Sequence, residues 1–247
     1  TFEAMDHVEA ASPWMNDYIK LVSGKYVAGV SLAAIDASKM ELFDFKLQDG
    51  RLLDEHDGAA IVMGNDIPMN FYNPKKSGGM MWGYGGGSDA LVDPMTDSFK
   101  LTFDQSYGEK QVSIGTEEGE VKKKPKLYKL EVAGYLQQDN DNNYNVFMDY
   151  NQYIKMKKEY NKTLPMNQRQ KNIGEFSTIK VKVDDLSNVV AVQDEIKAMG
   201  YQVYSLMEYV ESMQQQTMTL RLILGGLGAI SLLVAALGIT NTMIMSI

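Results

Sequence analysis

The chain has no cysteine. Disulfides, thiolate catalysis and cysteine-ligated zinc are therefore excluded, whereas the compartment stays open, because exported bacterial domains also do without cysteine. Histidine is almost as scarce. His7 and His56 are the only two, neither lies in an H-E-x-x-H or triad pattern, and both read as surface or satisfied side chains. Basic residues are in the minority, 24 Lys and Arg against 32 Asp and Glu, for a net charge of −8. That balance argues against nucleic acid, since phosphate recognition needs a clustered positive surface. There is no G-x-S-x-G elbow, initiator Met or signal peptide, and the abrupt start and apolar end read as a piece cut from something longer.

What is present is the composition of a folded protein, 45% hydrophobic and 10% aromatic, in a length that allows one large domain or two small ones. The apolar residues are not spread evenly. From Leu222 to Ile247 there are 26 residues without a charge. As a helix they would extend roughly 39 Å, more than the ~30 Å that a hydrocarbon core requires. The segment 222–247 is expected to be a transmembrane helix.

The helix is expected to begin earlier, at about Leu206. Ser205-Leu206-Met207-Glu208 is a capping-box pattern. Val210, Met213, Thr217 and Leu220 then recur on one helical face with no Pro or turn cluster before Leu222. Residues 206–221 therefore read as a stalk leading into the span. Within the span, Gly228, Ser231, Ala235, Gly238 and Thr242 fall at offsets of zero, three, seven, ten and fourteen. Small residues in such a register let another helix approach closely, so they form an expected packing face.

Before the stalk lies a β-α-β pattern. Ser177 to Val183 alternates Ile179, Val181 and Val183 with Lys180 and Lys182. Asp184 or Asp185 can cap a helix with Leu186, Val189, Val190 and Ile196 on its apolar face. Gly200 supplies a C-cap, and Tyr201 to Tyr204 reads as the returning strand. Towards the N-terminus, Val8 to Ser12 and Lys25 to Ala33 read as strands joined by a segment with Pro13 and Trp14. Ser38 to Phe45 reads as a short helix and Ala59 to Met63 as a strand. Phe99, Leu101 and Phe103 pattern as one arm of a hairpin with Val112 and Ile114, Leu127 to Leu136 as a strand, and Asp149 as the cap of a helix over Tyr150 to Tyr160.

Chemical motifs are weak. Asp139-Asn140-Asp141-Asn142-Asn143 opens like a calcium loop, but Tyr144 and Tyr150 stand where Gly and a bidentate Glu are needed, so it reads as an Asx-rich turn. Val121 to Lys129, the only dense basic run, reads as a solvated turn or a contact for an anionic partner. Ser77 to Ser88 has six glycines in twelve residues and lacks the Lys-Ser/Thr end of a phosphate loop. Its Met80, Met81, Trp82 and Tyr84 either fold back on the domain or touch a partner, lipid or substrate. Asp44, Asp49, Asp54, Glu55 and Asp57 look like a solvated acidic stretch. No residue pattern points to catalysis, a metal or a cofactor.

Gly225 to Ile247, ending in Gly238-Ile239-Thr240-Asn241-Thr242-Met243, resembles the second transmembrane helix of the MacB/FtsX-like ABC transporter permeases. The soluble part resembles the extracytoplasmic core domain of that family: His7 to Met15 is similar to its V-x-x-x-S-P strand, Gln48 to Leu53 to its G-R-x-L turn, Ala59 to Ile67 to its I-V-x-G step, and Leu127 to Leu136 to its V-x-G strand. The resemblance implies an α+β, two-lobed extracytoplasmic domain. Residues 1–47 and 175–205 would form a mixed α/β membrane-proximal lobe and 48–174 an inserted β-rich lobe, followed by stalk and span. It implies no enzyme activity and no cofactor of its own. The implied partners are an ABC ATPase subunit that binds the ATP, a second permease copy in a dimer, membrane lipid and a membrane-fusion or other accessory protein. The implied place is the cell membrane with the domain outside. The implied role is mechanotransmission by an exporter-type complex. A regulator that activates a cell-wall hydrolase and an antimicrobial-peptide sensing or resistance permease are the alternatives.

Overall fold

The computed structural model describes residues 2–76, 90–109, 125–138, 142–176 and 178–246. Two compact units divide the chain, Val8–Lys182 and the combination of Thr1–His7 with Val183–Ile247.

The larger unit is built on hydrogen-bonded strands that return to their starting point. β1 (Val8–Ser23) pairs antiparallel with β2 (Tyr26–Ile35), from Trp14 opposite Ile35 to Ser23 opposite Tyr26. β2 runs parallel to β7 (Asn145–Asp149), β7 antiparallel to β4 (Ala60–Met63), and β4 parallel to β6 (Tyr128–Leu136). β5 (Phe99–Thr102) joins β6 to β1 and closes the ring. β3 (Leu47–Gly50) adds to β6, and β8 (Thr178–Val183) lies beside β1. Closure removes free edges from six strands, which is how such sheets avoid open ladders.

Alternation along the strands sends neighbours to two separate cores. Val30, Leu32 and Ala34 of β2, Ile61 and Met63 of β4, and Val146 and Met148 of β7 enter a cluster to which all six ring strands contribute. Ala33 and Ile35, Ala60 and Val62, and Phe147 point the other way. There they meet Trp14, Leu53 and Met40, the last from a 3-10 helix over Ala37–Phe43. Strands buried on both faces read as near-continuous apolar runs, as AIVM at β4 does.

Three glycines sit where backbones touch. Gly50 and Gly134 are register partners. A Cβ on Gly50 would strike the Ala133 carbonyl, and one on Gly134 the Arg51 carbonyl; one on Gly64 would strike the carbonyls of Asn142 and Asn143. Gly50, Gly134 and Gly64 are thus close-approach points of the closed sheet.

α1 (Tyr150–Thr163) starts as expected, with the Asp149 carboxylate accepting from the backbone N–H groups of Asn151 and Gln152. It buries Tyr153 and Met156. In the smaller unit, Asp185 caps a 3-10 turn, Leu186–Asn188, that leads into α2 (Val189–Ala198), and α3 (Leu206–Met245) follows.

Several expectations are corrected. β1 is one strand through Pro13 and Trp14, because the ladder to β2 begins at Trp14 and Pro13 owes it no N–H. Tyr201 to Tyr204 form no strand. Tyr201 meets Phe2 edge-on at 5.3 Å, while Tyr201 and Tyr204 are 58% and 88% exposed, so nothing buries an alternating face. Ile196 is buried as expected, but Leu186 and Val190 are exposed, and α2 buries Val192 and Gln193 in their place. The units divide at 7/8 and 182/183, whereas the expected lobes divide at 47/48 and 174/175. The strands assigned to different lobes hydrogen-bond in one ring, β2 with β7 and β1 with β5. The hairpin arm at Val112 and Ile114 lies outside the described residues.

Candidate functional site

Two features of the molecule carry chemical or mechanical potential: a polar cleft in the larger unit and the long helix of the smaller one. The cleft encloses about 340 Å³ between β1, α1 and the segment Gln170 to Glu175. On its wall the Asp17 carboxylate accepts from the Tyr153 hydroxyl at 2.7 Å and from Lys157 Nζ at 2.6 Å. Burial, then the hydrogen bond to Asp17, pushes the Tyr153 phenol far above its ordinary range. Trp14 gives its indole N–H to Asn16, and Lys180 Nζ sits 3.7 Å from the centre of its ring. These groups satisfy one another. The phenol stays protonated at neutral pH and its carboxylate is held by two donors, so the arrangement braces α1 against β1 and offers no general base.

A second brace lies at Lys20, only 3% exposed. Its ammonium donates to the carbonyls of Gln105 and Tyr107 and to Glu109 Oε1 at 2.6 Å. Glu109 also accepts from Tyr72, whose phenol burial and that carboxylate push up to about 12. Among the described residues no cluster of three or more His, Asp or Glu could hold a metal.

Both histidines have partners. His7 Nδ1 lies 3.0 Å from Asp184 Oδ2 and His56 Nδ1 3.0 Å from Asp54 Oδ1. Asp57 takes the Arg51 guanidinium with both oxygens, at 2.7 and 2.6 Å, which lowers its pKa. The acidic stretch is therefore in part a structured turn. Asn142 to Tyr144 form a turn as expected, and the rest of that acidic motif, like Met80, Met81, Trp82 and Tyr84, lies outside the described residues.

The helix departs from its surroundings in every respect. α3 is 40 residues long, roughly 60 Å at the α-helical rise. Ser212–Met245 is long and apolar enough to cross a membrane. Ser205 is its N-cap, as expected, but the hydroxyl donates to Gln193 Oε1 at 3.0 Å and caps no helix N–H. The Glu208 side chain lies outside the described residues. Val210, Met213, Thr217 and Leu220 along the stalk are all exposed. So are Gly228, Ser231, Ala235, Gly238 and Thr242, and a Cβ on Gly228 or Gly238 would meet nothing within 4 Å. Ser231 donates to the Leu227 carbonyl at 2.9 Å and Thr242 to that of Ile239 at 2.8 Å, which satisfies both hydroxyls without a partner helix.

The class these features define is a mixed α/β domain joined, without a break in the helix, to an apolar segment long enough for a bilayer. No family model and no curated protein matches the sequence. Two solved structures are similar. One is the extracellular domain of the noncanonic ABC-type transporter YknZ from Gram-positive bacteria, with 12% identity over 78% of this chain and 74% of that one at a TM-score of 0.44. The other is the periplasmic region of MacB from Actinobacillus actinomycetemcomitans, with 16% identity over 80% and 70% at a TM-score of 0.45.

Proposed function

We propose that this chain is the extracytoplasmic domain and adjoining transmembrane helix of an ABC-type permease that works by mechanotransmission. The observation that carries the reading is the unbroken run of α3 from Leu206 to Met245. A continuous helix resists bending, so displacement of its apolar half is delivered to the domain at Ser205. The sequence motifs resembling the MacB/FtsX-like permeases favour the same role, with the ATP bound by a separate ATPase subunit and a second permease copy beside this one. The Gly228 to Thr242 face is the contact for a neighbouring helix, and its small side chains supply the close approach that association in lipid requires. The domain acts on accessory proteins or substrate outside the membrane.

Met213→Pro tests this directly. Proline removes a backbone donor and kinks the helix, at a cost of about 3 kcal/mol. The expected outcome is a complete transporter with a folded outer domain whose work is uncoupled from ATP hydrolysis. Normal ATP-coupled function in this variant would refute the rod.

A further inference from the structure

Between Tyr150 and Gly174 there are six basic side chains and one acidic one, in a chain whose net charge is −8. Lys157 is spent on Asp17. The other five, Lys155, Lys158, Lys162, Arg169 and Lys171, are all exposed, and among the described residues none pairs with a carboxylate within 4 Å. Lys155, Lys158 and Lys162 are three and four residues apart and share the face of α1 opposite Tyr153 and Met156.

The chain after α1 folds back alongside the helix. The Asn161 side chain brackets the return, donating to the Gln170 carbonyl at 2.9 Å and accepting from its N–H at 2.8 Å. Arg169 donates to the carbonyls of Leu164 and Lys162 at 3.0 and 3.1 Å, which fixes its guanidinium beside the end of the helix. At the tip of the turn stands Met166, 87% exposed. A large apolar side chain left in water, four residues after Lys162 and three before Arg169, suits a peripheral lipid contact: the cations meet headgroup phosphates and the apolar tip enters the boundary below them.

We propose that this turn docks on anionic phospholipid headgroups of the bilayer that holds α3. The proposal rests on the reading of α3 as a spanning helix. Tethering by that helix keeps the bilayer permanently at hand, so even weak headgroup contacts are populated through effective concentration.

The sequence has no native cysteine, so Met166→Cys gives a single labelling site for an environment-sensitive fluorophore. The full chain is incorporated into nanodiscs of zwitterionic lipid or of the same lipid with roughly a third phosphatidylglycerol. The expected result is a blue shift in the anionic discs alone, abolished by about 0.5 M salt. The shift is expected to vanish when Lys158, Lys162, Arg169 and Lys171 are changed to Gln. Equal emission in both discs, a shift that survives salt or neutralisation, or one that needs added acidic polypeptide would overturn the proposal. Failure to co-elute with discs would refute the spanning reading and the docking together, whereas co-elution without a shift refutes docking alone.

Discussion

The Phe147 ring and the Leu233 side chain are both large and apolar, yet one is 0% exposed and the other 60%. The first belongs to the closed sheet, where β2, β4 and β7 carry a core on each face. The second belongs to a helix whose described side chains from Leu206 to Ser246 are nearly all exposed. The contrast teaches that hydrophobicity alone does not locate a core. In the sheet, burial is completed by the chain itself. Along α3 the chain leaves it incomplete, over a stretch, Ser212–Met245, that is long and apolar enough to cross a membrane; in the proposed reading lipid and another helix complete it.

The sharpest way to test the contrast is to remove the same kind of group from each side. Phe147→Ala takes away a ring packed edge-on against Trp14 and Phe45, at 5.8 and 4.8 Å. It should cost about 3–5 kcal/mol, through lost transfer energy and the cavity left behind. Urea unfolding followed by Trp fluorescence measures this, and a loss no larger than that of Leu233→Ala would erase the distinction. A smaller effect is expected where the sheet hands over to α1. Asp149→Ala deletes the cap that holds Asn151 and Gln152 and should cost about 1 kcal/mol.

The span is expected to answer to different substitutions. Gly238→Leu should leave the unfolding midpoint of the soluble part unchanged and disturb assembly in a crosslinking or native-electrophoresis assay more than Leu233→Ala does. Equal disturbance would remove the packing face. The least effect is reserved for pH. The hydrogen bond to Asp184 raises the His7 pKa above its ordinary 6.5. A raised folded pKa means that the stabilisation is fully present below about 6.5 and is lost as pH rises through the folded value. Asp184→Asn should return the His7 midpoint towards 6.5, read by NMR with His56→Gln to leave one imidazole. An unchanged midpoint would show that Asp184 is not the cause.

Local features were legible when a single side chain decides them. Asp149 reads as a cap because its carboxylate reaches N–H groups two and three residues on, and the period of two at β6 reads as a strand for a similarly local reason. The start of α3 at Leu206 was legible because nothing between Leu206 and Leu222 interrupts a helix. Ser205 reads as a capping hydroxyl, yet Gln193, twelve residues earlier, takes its donor. Tyr201 to Tyr204 has the composition of a strand and lacks a ladder. The Asp17, Tyr153 and Lys157 brace joins residues up to 140 positions apart, and no spacing rule reaches that far.

The sequence by itself determined the long uncharged run from Leu222, its register of small residues and the absence of cysteine chemistry, because length, side-chain size and composition are properties of the chain alone. The tertiary structure alone decided that β1 and β2 share a ring with β4 to β7. It also placed Gly50 against Gly134 and brought Arg169 back to the carbonyls at the end of α1. Strand pairing depends on which distant backbones meet, and that is settled only when two cores close at once.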